Sequence, residues 1–386
     1  MEKIQDLQPS SSRVIYLDAL RAMAAFMVVV NHTNSYVFKV AAPWTGTWCF
    51  SIAWYYLSKP AVPLFVMVSG ACLLPRLDSY RRVGLRVLRM TGVLILFSYA
   101  YHLWGLWLTH WDWRRVLDIP GFLAGVWEKR VTDSFWYLYF YLGLLIMLPL
   151  LQRLASALHK KDLRYLILLS FGLGALWPLL AHYIPSLRLP QYFDLPLLNI
   201  FVGLFFAGHY LHRFATPKPW KRWACLLTIL GSIALATVLT GLEAARLPAG
   251  AQYWFMDERT APSITILLCA VGMMFLPRCR GKGSKELRPT REAEGVQGIK
   301  ETKKKEGMSI SPSRLSRAIS MLGRCSFGVY LLQDLIIAET RYRVFEPLRQ
   351  TIHPVPAVVL WEMLVYGLAV GIAWGFTLLP GLRRLI

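Results

Sequence analysis

Apolar residues in this chain run in long blocks, separated by short polar gaps rich in arginine and lysine. A hydrocarbon layer of about 30 Å is crossed by roughly 20 mostly apolar residues in an α-helix. Ten stretches meet that requirement: residues 14–37, 50–74, 83–107, 135–153, 163–184, 195–211, 223–242, 261–277, 318–338 and 355–379. The shortest are 195–211 and 261–277. The runs lack period-2 alternation and far exceed a spanning strand, which excludes a membrane β-barrel. The pattern predicts an all-α, polytopic membrane helix bundle of about ten transmembrane helices, forming one transmembrane domain over residues 14–379. Asp18 and Arg21 interrupt the first run, and no small-residue cleavage site follows it, so it is expected to stay as a helix rather than leave as a signal peptide.

Composition agrees. Of 386 residues, 55% are hydrophobic and 17% charged, against about 25% charged in a typical soluble chain. The six cysteines form no CxxC pair and have no regular spacing, which removes a disulfide scaffold. The net charge of +21 could suggest a nucleic-acid partner, but its placement follows topology. With the N-terminus inside, the cytoplasmic gaps hold Arg76, Arg81, Arg82, Arg86 and Arg89, then Arg153, Lys160, Lys161 and Arg164, then Arg213, Lys218, Lys221 and Arg222. The opposite gaps are poorer and mixed in sign. Both termini are therefore expected in the cytoplasm, with membrane lipid as the partner and no nucleic acid. The gap at 278–317 carries twelve Lys or Arg against five Glu and reads as a solvated, disordered cytoplasmic linker interrupting the domain.

Ionisable groups inside a span are costly and mark candidate sites. The first helix has Asp18, Arg21 and His32 in YLDALRAMAAFMVVVNHTNSY. Arg21 and His32 are eleven residues apart, three turns on one face and about 16 Å along the axis. Asp18 stands three before Arg21, where the two can pair, and Asn31 and Asn34 flank the imidazole. The bland alternative has His32 bonding across helices while Arg21 snorkels to the surface. Arg82, Arg86 and Arg89 open the third span; guanidinium forks match phosphate oxygens, though such residues also serve as plain topology anchors. Asp334 and Glu339 in the ninth span are weaker candidates. His209 and His212, without nearby carboxylates, make a poor metal site, and no metal is expected. No phosphate loop, nucleophile elbow or dinucleotide fingerprint occurs in a usable context.

The first-helix segment resembles that of the acyltransferase 3 family, integral membrane proteins that O-acylate cell-surface carbohydrates; the family's Arg-x10-His motif falls on Arg21 and His32. PAVPLFVMVSGACLLP at 60–75 resembles the family's second-helix motif, in the Val-Pro-Leu-Phe form of the enterobacterial common antigen O-acetyltransferase branch. Arg86-Val-Leu-Arg89, SFWYLYFYLGLLIMLPLL at 134–151 and CSFGVYLLQDLII at 325–337 resemble later signatures in the same order. The resemblance implies acyl transfer, acetyl by default, from cytoplasmic acyl-CoA as co-substrate, with no permanently bound cofactor. The acceptor would be a carbohydrate or glycolipid of the cell envelope, and the location the inner plasma membrane. It assigns donor phosphates to Arg82, Arg86 and Arg89, and catalytic roles to His32, Arg21 and Asp18, with the thioester threading inward past Arg21. Oxyanion or acceptor contacts fall among Asn31, Asn34, Ser69, Trp136, Tyr137 and Gln333. Relatives often carry histidine where this chain has Tyr137 and Gln333, which keeps a non-catalytic derivative open, beside a lipid-linked sugar transporter. The enzyme reading expects Arg21 and His32 to share one wall of a through-going cavity.

Overall fold

The computed structural model describes residues 14–109, 111–128, 131–189, 199–246, 263–279, 313–379 and 381. Among these, eight helical spans are long and apolar enough to cross a membrane: Ile15–Phe38, Gly46–Leu73, Tyr80–Thr109, Asp133–Ala157, Lys160–Tyr183, Pro219–Ala244, Arg314–Thr351 and Pro354–Leu378. No strand occurs among the described residues. The protein is an all-α membrane helix bundle, as its hydrophobic pattern predicts. The two shortest expected spans become short helices, Ile200–Arg213 of 14 residues and Ser263–Phe275 of 13. Fourteen residues rise only about 21 Å, less than a full crossing. Most of the linker expected at 278–317 lies outside the described residues.

Twelve helices carry the architecture: α1 (Ile15–Thr33), α2 (Gly46–Ser58), α3 (Ala61–Leu73), α4 (Tyr80–Thr109), α5 (Trp136–Ala157), α6 (Lys160–Phe171), α7 (Trp177–Tyr183), α8 (Ile200–Arg213), α9 (Pro219–Ala244), α10 (Ser263–Phe275), α11 (Arg314–Thr340) and α12 (Pro354–Leu378). The second span is split between α2 and α3 because Pro60 has no amide hydrogen to continue the ladder. Pro63 falls in the first turn of α3, where that hydrogen is dispensable.

Helix α1 lies at the centre, packed on α11, α3, α2 and α12. Small residues allow this, since lipid offers helices no hydrophobic drive to associate and close backbone packing must supply the attraction. Ala24 and Ala25 are fully buried. A Cβ added to Gly323 of α11 would sit 2.7 Å from the Cβ of Asp18, so α11 reaches the start of α1 only because residue 323 is glycine. The α3–α8 contact depends on Gly208 in the same way, its missing side chain lying against the Met67 carbonyl. Large apolar side chains point the other way: Trp223, Leu227 and Leu230 of α9 are 69%, 70% and 63% exposed, a surface fit for lipid rather than water.

Candidate functional site

Two cavities open beside α1. At its N-terminal end, Arg21 donates through Nη1 to Asp18 Oδ1 at 3.0 Å and through Nη2 to Cys72 Sγ at 3.2 Å. The Asp18 side chain is 1% exposed, so the i, i+3 pairing seen in the sequence is what keeps this carboxylate tolerable in an apolar bundle. Arg21 lines a cavity of about 560 Å³ together with Arg76, Arg86 and Arg89; Ser69, Tyr137, Tyr141 and Tyr330 form part of its deeper wall. Asp18 is the only carboxylate among the described residues of the lining, against four arginines.

Asp78, in the turn before α4, organises this end. Its carboxylate takes Arg86 Nη1 at 2.5 Å and Nη2 at 3.4 Å, Arg82 Nη1 at 3.2 Å and Gln152 Nε2 at 3.1 Å. Burial opposes the charge of Asp78, yet the hydrogen bonds from Gln152, Arg86 and Arg82 outweigh it and hold the carboxyl below the usual range. Arg82 is 61% exposed and turned to Asp78; it stands outside the cavity lining, where Arg76 is found instead.

Three turns along α1, His32 lines a second cavity of about 590 Å³ with Tyr36, Trp104, Asp334, Glu339 and Arg341. Its Nδ1 lies 3.5 Å from Asp334 Oδ1 and 3.4 Å from the Ser134 hydroxyl. Asp334 is itself fixed, accepting from Gln333 Nε2 at 2.6 Å and Thr132 Oγ1 at 3.2 Å. An imidazole whose Nδ1 faces a carboxylate presents Nε2 as its basic nitrogen, and the carboxylate stabilises the imidazolium once a proton arrives.

Arg21 and His32 share a helix face but not a void. The expected through-going cavity is divided where Tyr137 and Tyr330 pack edge to face, ring centroids 5.6 Å apart. The Tyr330 hydroxyl donates to the Ser134 carbonyl, and the Ser134 hydroxyl reaches His32. Two aromatic rings and a hydrogen bond thus stand between the arginine cavity and His32.

The other sequence candidates divide between wall and scaffold. Ser69 and Tyr137 line the arginine cavity. Asn34 lines neither: it is fully buried, donating to the Ser51 carbonyl at 2.5 Å and accepting from the Ser51 hydroxyl at 2.9 Å, a clasp between α1 and α2. Asn31 is half-buried and outside both linings. Trp136 packs on Phe201 with centroids 5.8 Å apart, and Gln333 sits fully buried behind Asp334. His212 bonds Tyr16, and no cluster of metal-ligating residues forms among the described residues.

Two carboxylates matter more than the sequence reading allowed. Asp334 becomes the partner of His32, and the cost of a carboxylate within an apolar helix was the available signal. Glu362, the sole acidic residue of α12, passed unnoticed. It is fully buried and accepts from Thr33 Oγ1 at 3.0 Å and Trp54 Nε1 at 2.9 Å.

No curated protein matches the chain significantly, and neither does any solved structure. A family model described as an acyltransferase domain matches residues 14–378, almost the whole length. With the Arg-x10-His helix and the arginine pair placed around one bundle, that match identifies a multi-pass membrane acyltransferase: the chain belongs to the acyltransferase 3 family.

Proposed function

We propose that the protein moves an acyl group, acetyl by default, from cytoplasmic acyl-CoA to a hydroxyl of a cell-surface or lipid-linked carbohydrate. The arginine cavity would face the cytoplasm of the inner plasma membrane, consistent with the excess of Lys and Arg in the gaps on that side. Arg76, Arg86 and Arg89 suit the donor's phosphates, and its long thin arm would reach past Arg21 toward Tyr137 and Tyr330.

The acceptor enters from the His32 cavity. Its hydroxyl oxygen attacks the thioester carbonyl while His32 takes the hydroxyl proton; the tetrahedral intermediate then collapses, the carbon–sulfur bond breaks, and the imidazolium returns the proton to the departing thiolate. Asp334 steadies the imidazolium through each turnover. Ester and CoA thiol are the products, and no other reactant is consumed.

The observation that carries this reading is the His32–Asp334 pair open to one cavity at 3.5 Å, on the same helix whose other end walls a cavity of four arginines. The test is mass spectrometry of surface glycans from cells with and without the chain, paired with thiol release from acetyl-CoA by the purified protein. His32→Ala, folded and inserted, should lose about 10²–10⁴-fold in rate, and Asp334→Asn should lose less, since the base itself remains. Wild-type transfer by His32→Ala would refute the mechanism.

A further inference from the structure

The His32 cavity holds two cations that the transfer chemistry does not use, Arg341 and the largely exposed Arg343, which pairs with Glu339 at 3.3 Å. One turn beyond His32, Tyr36 continues the same wall. Opposite it, α11 ends and the chain makes a π-helical turn at Arg341–Phe345, a local irregularity often found at functional sites. That turn lays the Arg341 guanidinium on the Tyr36 ring, 4.0 Å from the centroid, with Tyr342 at 4.9 Å. The Arg341 side chain is 31% exposed, and its Nε is buried with no hydrogen-bond partner.

The carboxylates nearby are shared with other donors. Glu346 pairs with Arg341 Nε only at 3.8 Å, while Arg349 grips its other oxygen at 2.5 Å. Glu339 takes the Trp104 indole at 3.0 Å and pairs with Arg343 at 3.3 Å. Asp334 faces His32. Stacking fixes the plane of a guanidinium and leaves its edge to bind two oxygens at once. Trp104, on the cavity wall, offers an indole surface of the kind that covers the apolar face of a pyranose.

We infer that Arg341 binds an acidic group on the acceptor and so holds a neighbouring hydroxyl against His32. The acceptor is then an acidic carbohydrate, its charge supplied by a uronate carboxylate or by a sugar phosphate. This rests on the O-acyltransferase reading, but the test separates the two.

The full-length protein in phosphatidylcholine nanodiscs is titrated, without donor, with methyl glucoside, methyl glucuronide and glucose 1-phosphate. At least one acidic probe should bind about tenfold or more tightly than the neutral one, the scale of a charge-assisted hydrogen bond. Preference for the glucuronide assigns a carboxylate, and preference for glucose 1-phosphate a phosphate. Arg341→Gln should abolish the preference and Arg341→Lys retain part of it, while Arg343→Gln, altering the partner of Glu339, should leave it intact. If Arg341→Gln fails to fold without its contact to Tyr36, the wild-type comparison and Arg341→Lys still decide. Equal binding of all three probes by wild type, or a preference that survives in Arg341→Gln, overturns the inference. So does Arg341-dependent binding of phosphatidylglycerol with indifference to both sugar acids, which would make the residue a lipid anchor. An acidic preference without any acyl transfer would leave this site standing and remove the enzyme reading; transfer to neutral glycans without acidic preference would do the reverse.

Discussion

Asp78 is the place where the arginine end can be tested for what holds it together. Its side chain is 1% exposed and receives Arg86, Arg82 and Gln152. In Asp78→Ala, the exposed Arg82 pair contributes about 0–1 kcal/mol, as surface pairs do. The Arg86 and Gln152 bonds contribute about 1.5–3 and 0.5–1.5 kcal/mol before solvent relief. Arg86 is 28% exposed and can turn to water, so the expected loss is about 2–3 kcal/mol. Reversible unfolding in mixed micelles measures it. The pH dependence has a definite sign. An unfolded aspartate titrates near about 3.9, and Asp78 in the fold is held lower. Its contribution is therefore complete above the unfolded value and lost as pH falls through the folded one. The stability gap between wild type and Asp78→Ala should be flat from pH 8 to about 5 and shrink below about 4. A gap under about 0.5 kcal/mol at neutral pH, or one that widens on acidification, would refute the argument.

Glu362 and Tyr330 give two further tests. Among the described residues, Glu362 meets neutral donors, Thr33 and Trp54. Glu362→Gln keeps an acceptor oxygen and should cost about 1 kcal/mol, while Glu362→Leu strands the Trp54 indole, Thr33 still reaching the Val29 carbonyl at 2.8 Å, and should cost about 2–3 kcal/mol in the same unfolding assay; equal costs would show that the carboxyl does not clasp α1, α2 and α12. Tyr330→Phe removes the hydroxyl bonded to the Ser134 carbonyl and should loosen the partition between the cavities. Acceptor-independent hydrolysis of acetyl-CoA should rise about 2–10-fold, the equivalent of one neutral hydrogen bond, and an unchanged rate would show that the partition lies elsewhere.

The spans were legible because membrane thickness imposes a length on any apolar helix. The Asp18–Arg21 pair was legible too, since i, i+3 neighbours meet in every helix. What brings His32 to Asp334 is different: some 300 residues separate them in sequence, and only the close packing of α11 on α1, permitted by Gly323, joins them. Asn34 misled for the same reason. Its spacing placed it beside the imidazole, but its amide found Ser51 on α2, and buried amides settle where both hydrogen-bonding ends are satisfied. Arg82 turns instead to Asp78, unremarkable in sequence, and stands outside the cavity that Arg76 lines.

The divided passage bears on how a thioester and an alcohol would be kept apart until both are bound. A thioester left open to two aqueous ends would be lost to water, and closure of an active site against solvent is a general means of avoiding this. The barrier here is slight: one hydrogen bond from Tyr330 at about 0.5–1.5 kcal/mol and an aromatic edge contact with Tyr137 of about the same size. Each phosphate contact to an arginine is worth about 1.5–3 kcal/mol, and three arginines besides Arg21 line the mouth. On the proposed reading, donor binding therefore exceeds the cost of parting the two tyrosines, whereas a water molecule, making none of those contacts, does not. The same parting moves the Ser134 carbonyl's partner and with it the segment whose hydroxyl touches His32. Arrival of the donor would then reach the base through two side chains, so that the imidazole is readied on the far side only when there is an acyl group to receive.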